Sequence, residues 1–522
     1  MLHQQLPFYL AIIILIILLI LLANKLRVAY PILLVLGGLG ISLVPGVPVV
    51  KIDPDLIFIL FLPPLLYEAA WSISFKDLWK WRRIISSFAF VVVFLSATAV
   101  AIVSNHFIPG FSLALGFLLG GIVSPPDAVS AGAIMKFVKV PARFKSIVEG
   151  ESLFNDASSL IIFRFALVAV GTGQFVAGQA VATFFWMVLG GIAIGLLLAY
   201  IFYEVHRLLP TNAEMDIVLT FVAPYVMYLA AEAVDSSGVM SVVTGGLFLA
   251  NRSHMFLTSA GRIKSHTVWQ SISFMLNGLV FILIGLDLPE IAGGLEGVSM
   301  RSAIGYGVLI TGVLVLVRIV SAYGAMFFTL LLRDYISVAD RRNPGYKTPF
   351  LLGWAGMRGV VSLAAALSIP VHLADGTLFP QRNLILFITF VVILLTLVVQ
   401  GLTLPYLIRK IPILREGESL PDDTQYYALY SRLRASSCTY IGHHYSGRLQ
   451  SHAAFQSLLS KYEDADQPDA GMDEAAKAIM LEVIERQREW LREWNKEEGL
   501  DETYVKKHFY RLDLEEESLG LK

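Results

Sequence analysis

Between Leu6 and about residue 410 the chain returns repeatedly to runs of roughly 18–25 apolar residues. No single soluble core can absorb that pattern, whereas a bilayer requires it. Runs bounded by charge or by Gly/Pro clusters number thirteen. They begin near Leu6, Ala29, Asp55, Ile84, Phe111, Gly150, Ala180, Asp216, Ser237, Val268, Ala303, Phe350 and Leu384. The formal net charge of −1 hides two different objects. Residues 1–415 carry 27 bases and 19 acids, only 11% charged, whereas residues 416–522 carry 13 bases and 22 acids, 33% charged. Soluble domains carry about 25%. The pattern predicts an all-α polytopic membrane domain over 1–415 and a cytoplasmic helical tail, regulatory in role, over 416–522. It excludes a nucleic-acid binder and a secreted protein. The one cysteine, Cys438, lies in the tail, so intrachain disulfides are impossible. The first run follows Met-Leu-His-Gln-Gln without Lys or Arg and is longer than a signal h-region, so it is expected to be a retained helix.

Loop charge orients the spans. Alternate loops hold Lys25 and Arg27; Lys76, Lys80, Arg82 and Arg83; Lys136, Lys139, Arg143 and Lys145; Arg207; Arg252, Arg262 and Lys264; and Arg333, Arg341, Arg342 and Lys347. Those 18 bases face only Lys51, Arg301 and Arg382 in the intervening loops. The bias places the N-terminus outside and the tail in the cytoplasm, as thirteen spans also require.

Two spans are interrupted. The fifth contains Ser124-Pro125-Pro126-Asp127, and consecutive prolines cannot continue a regular helix. The twelfth reads Gly353-Trp354-Ala355-Gly356-Met357-Arg358-Gly359. Broken backbone at membrane depth survives only where it is buried in protein or lines a cavity. An odd offset of seven spans makes the two units run in opposite directions, the inverted-repeat pattern that points to a transporter's midplane site. In the third span Pro63-Pro64 precedes Glu68 and predicts a further interruption.

In the tail, Ala476, Met480, Val483, Leu491 and Trp494 recur at helical spacing, with Gly499 as a C-cap and Asp501 as a new N-cap, which predicts a helical hairpin. Residues 416–472 carry no clear pattern. His443-His444 has no Cys or carboxylate at ligand spacing and reads as no metal site.

Seven ionisable residues lie deep in apolar runs: Glu68, Asp127, Glu151, Asp156, Arg164, Arg318 and Arg358. At about 2.5–3.5 kcal/mol each, seven unpaired charges would cost about 20 kcal/mol, so they must face one another, water or an ion. The densest group is Glu149-Gly150-Glu151-Ser152-Leu153-Phe154-Asn155-Asp156. Helical spacing stacks Ser152 with Asp156 and Glu151 with Asn155, so one helix presents a carboxylate, a hydroxyl and an amide oxygen. These hard oxygens, with Glu68 and Asp127 beside disrupted backbone, suit an alkali cation. Glu151 is expected to pair with Arg358; Arg164 and Arg318 receive no transport role, and Glu232, Asp235 and Asp287 are expected near span ends. A buried carboxylate that holds either a proton or a cation would exchange the two by competition. Two other classes fit a polytopic chain. A cation-coupled symporter of an organic solute would need a roomy polar cavity, and a gated channel a filter-like repeat or charged ring.

At these residues the chain resembles the monovalent cation–proton antiporters, specifically the sodium/proton exchanger branch of bacterial type. The likeness covers about residues 5–415 and rests on Glu151-Ser152-Leu153-Phe154-Asn155-Asp156, Asp127 after a broken span, Leu62-Pro63-Pro64 leading to Glu68, and Gly356-Met357-Arg358-Gly359. The resemblance implies thirteen spans in inverted repeats, a dimerisation domain and a mobile core with crossed, interrupted helices. It makes Asp156 the carrier of proton and cation, with Ser152, Asn155, Glu68 and the Pro126 carbonyl near the ion. Asp127 would support the crossing, and Glu151 with Arg358 would form a stabilising ion pair. The Asn155-Asp156 pair is similar to the electroneutral branch, one Na⁺ (or K⁺ or Li⁺) per proton, without a cofactor. A homodimer in the cell membrane, acting in pH and cation homeostasis, is implied. One departure stands out: Pro126-Asp127-Ala128 replaces the Thr-Asp-Pro order of many members and removes a hydroxyl beside the ion. The stretch from Glu498 to Glu516 resembles tails of the bacterial branch, to which a regulatory partner could bind.

Overall fold

The computed structural model describes residues 2–44, 54–138, 140–173, 177–295, 297–332, 345–373, 376–411, 423–445, 474–497 and 500–519. Lys51, Lys139, Arg333, Arg341, Arg342 and Gly499 lie outside these residues. Every described element is helical, apart from an isolated antiparallel bridge between His372 and Leu378. Among the described residues nine helical segments are long and apolar enough to cross a membrane. Further apolar runs form the shorter helices Tyr30–Ser42 and Gly238–Phe256 and the interrupted pair Lys347–Trp354 and Val360–Leu367.

Several long helices begin well before their apolar runs. The segment Phe75–Phe107 starts at Ser74, whose hydroxyl accepts from Asp77 N at 3.1 Å and caps a turn containing Lys76 and Asp77. Hydropathy marks the membrane-embedded portion, while Lys, Arg and Glu, good helix formers, extend the helix beyond it. Around Ser87–Val92 the same segment widens into a π turn.

The helix Pro54–Ser72 runs unbroken through Pro63 and Pro64, contrary to the predicted interruption. A proline in a helix interior orphans the carbonyl four residues earlier, which for Pro64 is that of Leu60. Tyr225 hydroxyl donates to Leu60 O at 3.2 Å, so a neighbouring helix supplies the missing bond.

Two compact units divide the chain. One holds Met1–Leu209, Val218–Arg252 and Val268–Leu420; the other holds Pro210–Ile217, Ser253–Thr267 and Pro421–Lys522. In the first, Leu113–Val123 packs against Val93–Phe107 through a glycine face, because a Cβ at Gly120 would lie 2.6 Å from Ala97 O. Small residues permit the close backbone approach on which helix packing in lipid depends.

The second unit is built from Asp423–His444, Glu474–Trp494 and Glu502–Ser518 around Leu433, Ile441, Met480, Val483, Leu491 and Leu512. Asp501 caps the last helix, accepting from Thr503 N at 2.8 Å. Ser253–Thr267 joins it through an ionic cluster. Arg262 Nε donates to Asp513 Oδ2 at 2.8 Å, and Arg488 reaches Asp513 Oδ1 at 2.8 Å and Ser259 Oγ at 2.8 Å. His508 is 1% exposed, stacks on Tyr426 at 4.2 Å and donates from Nε2 to the Tyr426 carbonyl at 3.1 Å.

Burial lowers the pKa of His508 from 6.5 to about 4, against the opposing pull of that carbonyl. The unfolded chain therefore binds the proton first as pH falls. Stability from this site is complete above about pH 6.5 and is lost toward pH 4, by at most about 3 kcal/mol. Hydrogen exchange of Glu502–Ser518 in the full chain, corrected for intrinsic rates, should show less protection at pH 5 than at pH 7.5. His508→Phe should weaken that dependence; an unchanged profile in the variant would count against His508 as its source.

Candidate cation site

The first interrupted pair, Leu113–Val123 and Ala128–Met135, and the second, Lys347–Trp354 and Val360–Leu367, meet through their loops. Asp127 N donates to Met357 O at 2.7 Å. Each break leaves backbone groups without helical partners, and the other loop helps to satisfy them. Asp127 caps Ala128–Met135: its carboxylate accepts from Val129 N at 2.9 Å, Ser130 N at 3.2 Å and Ser130 Oγ at 2.7 Å. Close behind it sits Gly359, where a Cβ would fall 2.1 Å from Asp127 Oδ2. Gly359→Ala should displace the Asp127 carboxylate and uncap the helix, at about 1 kcal/mol for the cap and more for the clash. A melting temperature equal to that of the parent protein would refute this.

Arg358 is fully buried and serves the same crossing. Its Nε donates to Val123 O at 2.8 Å, Nη2 to Ser124 O at 3.4 Å and Nη1 to Gly356 O. Val123 closes a half-helix, so the guanidinium lies at the negative end of its dipole and engages carbonyls that the break has orphaned. Its backbone N donates to Thr396 Oγ1 at 3.2 Å, beside a second π turn, Thr396–Gln400.

The expected Glu151–Arg358 pair is therefore replaced. Glu151 is 1% exposed and binds Arg318, with Nη1 to Oε1 at 2.6 Å and Nη2 to Oε2 at 2.7 Å. Arg318 projects from Met300–Leu332 and aligns its planar fork with both carboxylate oxygens, while Arg358 is already committed to carbonyls. A Cβ at Gly356 would lie 2.4 Å from Arg318 Nε, so that glycine makes room for the pair.

The helix Ala142–Thr172 supplies the remaining groups. Ser152 Oγ accepts from Ala128 N at 3.0 Å, and Asn155 Nδ2 donates to Pro126 O at 2.9 Å. Ser158 Oγ donates at 2.5 Å to Ala89 O, a carbonyl within the π turn of Phe75–Phe107. The i, i+3, i+4 face of one helix thus holds the first broken loop on one side and the widened helix on the other. Asp156 lies among them, 8% exposed, with the Asp127 carboxylate within electrostatic range. No hydrogen bond or ion pair reaches its side chain among the described residues. Asn155 Oδ1 and Ser124 Oγ are buried oxygens also without partners among the described residues.

Glu68 stands apart from these bonds. It is half-buried and accepts from Ser72 Oγ at 2.9 Å and from Ser273 Oγ, on Ser259–Leu286, at 3.3 Å. Arg164, left without a role by its position in sequence, pairs with Glu232. Thr396 and Ser158 went unnoticed in sequence because a hydroxyl inside an apolar run carries no periodic signal, and Gly359 was marked only as part of a broken run, without its role behind Asp127.

The family model described as sodium/hydrogen exchanger, transmembrane, matches residues 11–410. The chain is 34% identical over 395 residues to the sodium, potassium, lithium and rubidium/H⁺ antiporter of Bacillus pumilus, covering 73% of this chain and 58% of that one. It is 34% identical over 392 residues to the Na⁺/H⁺ antiporter ApNhaP of Aphanothece halophytica, covering 74% and 70% respectively. The chain thus spans little more than half the length of the Bacillus relative. In fold it is similar to the sodium proton antiporter MjNhaP1 from Methanocaldococcus jannaschii, with a TM-score of 0.63 at 17% identity, over 78% of this chain and 99% of that one.

Proposed function

Because the chain belongs to the sodium/hydrogen exchanger family of membrane proteins, we propose that it exchanges a monovalent cation for a proton by alternating access. The observation that carries this reading is Asp156: a buried carboxyl without a protein partner among the described residues, beside crossed, broken helices. A bare carboxylate in that setting is costly, so a proton or a cation must accompany it. The two cannot bind together. Exchange follows when the site opens to one side at a time.

Ser152, the Asn155 amide oxygen and the Pro126 carbonyl are the oxygens we assign to the cation beside Asp156, while Asp127 holds the loop that carries Pro126 and Glu68 bonds elsewhere, to Ser72 and Ser273. Among neighbouring positions 155 and 156 only Asp156 can ionise. One unit of negative charge then takes one proton or one monovalent cation, which makes the cycle electroneutral. The names of the relatives support Na⁺, K⁺ or Li⁺ as substrates. We place the basic loops and the tail in the cytoplasm, the N-terminus outside, and the working unit as a homodimer in the cell membrane.

The test is proton-gradient collapse in proteoliposomes bearing the purified chain, with Na⁺, Li⁺ and K⁺ added in turn. Saturable dequenching with at least one of them, unaltered by a voltage clamp, is expected. Flux that follows membrane voltage, or that requires an organic solute, would overturn the proposal.

A further inference from the structure

Two turns beyond Asp156 on the same helix, Arg164 and Glu232 meet in a cavity of about 380 Å³. Arg164 lies eight positions from Asp156, about 12 Å along the axis. Leu160, one turn from Asp156 on the same face, also lines the cavity. Phe58, Met187, Tyr228, Val239 and Ser368, from five other segments, also line it. Arg164 and Glu232 belong to different helices, Ala142–Thr172 and Ala213–Glu232. The other oxygen of Glu232 accepts from Gly238 N at 3.1 Å, which ties the carboxylate to the start of the next helix. Arg164 and Glu232 are 40% and 26% exposed, so neither is sealed in the protein interior.

Both residues lie in the parts of their helices remote from the basic loops, Arg164 in the second half and Glu232 at the end: Ala142–Thr172 begins among Lys136, Arg143 and Lys145, and Ala213–Glu232 follows Arg207. The cavity therefore lies on the side of Asp156 facing away from the basic loops, where a vestibule would stand.

We infer that the Arg164–Glu232 pair is a latch that closes this vestibule and sets the apparent cation affinity on that side alone. The inference rests on the exchange function proposed above. Opening the vestibule parts the two helices and breaks the pair, so the latch holds down the population open to this side. Apparent affinity falls in proportion to that population. Arg164→Gln releases the latch and leaves Glu232 with an uncompensated negative charge near the entry path. Both effects favour the cation. Glu232→Gln also releases the latch but leaves Arg164 as an unneutralised positive charge, so its two effects oppose each other.

The experiment compares right-side-out and inside-out vesicles containing full-length protein, and reads KM and kcat for cation-driven proton flux from each side. Arg164→Gln should lower KM about three- to tenfold on the side away from the basic loops, raise it or leave it unchanged on the side of those loops, and keep kcat within about twofold. Glu232→Gln should not lower KM on the side away from the basic loops below that of Arg164→Gln, and Arg164→Lys should restore the parental values. KM shifts equal on both sides, or a loss of kcat with KM unchanged, would overturn the latch. Should Arg164→Gln not insert, the Arg164→Gln/Glu232→Gln double variant removes both charges and should still lower KM on that side only. Wild-type vesicles without any exchange would instead refute the function on which the inference rests.

Discussion

Asp156→Asn is expected to reduce cation-driven proton flux to background while the protein still folds and inserts. Asn has nearly the same shape and retains an oxygen, but it neither takes up the exchanged proton nor offers a negative charge to a cation. Because no hydrogen bond or ion pair to the Asp156 side chain exists among the described residues, the substitution breaks none of the bonds that hold the crossing. Replacing a buried ionisable group by a neutral one of equal size removes a desolvation cost. The melting temperature should therefore match or exceed that of the parent, in purified protein of equal monodispersity. Residual saturable exchange in Asp156→Asn, above that of empty liposomes, would remove Asp156 from the centre of the mechanism. A variant that fails to insert would show that the side chain has a structural partner, and would equally sink this assignment.

The second large effect concerns stability. Arg318→Ala leaves Glu151 as an uncompensated charge at 1% exposure, and breaking a buried pair of this kind costs about 3–5 kcal/mol. Removing both charges with Glu151→Gln and Arg318→Met should recover a large part of that loss, because the doubly neutral site no longer buries an unpaired ion. The double-mutant cycle on thermal stability is expected to show strong coupling between positions 151 and 318. The cycle between 151 and 358 should show much less, because Arg358 binds the carbonyls of Val123, Ser124 and Gly356. Additive losses at 151 and 318 would mean that the pair contributes nothing cooperative.

That contrast shows where sequence was legible and where it was not. The apolar runs, the two interruptions and the Ser152-Asn155-Asp156 face follow from composition, Pro/Gly placement and helical period, all local properties. Choosing which arginine meets Glu151 is not local. Arg318 and Arg358 were equally apolar in context, and the choice depended on which helix ends had orphaned carbonyls to satisfy. Pro63-Pro64 misled for the same reason: the bond that keeps the helix whole comes from Tyr225, far away in sequence. Glu68 was marked by its rarity in an apolar run, yet its bonds to Ser72 and Ser273 lie on a part of the molecule that spacing alone does not reveal.

The contact between Asp127 N and Met357 O also bears on motion. Together with the bond from Arg358 to Val123 O, it fastens the middle of one repeat to the middle of the other. Parting them would strand several peptide groups away from water, at about 1–3 kcal/mol each. The two halves therefore travel as one keystone, and the oxygens around Asp156 keep their arrangement wherever that keystone is carried. A cation should then meet the same coordination from either face of the membrane, and any sidedness in its binding arises outside that cluster, in how long each door stands open and what charge flanks it.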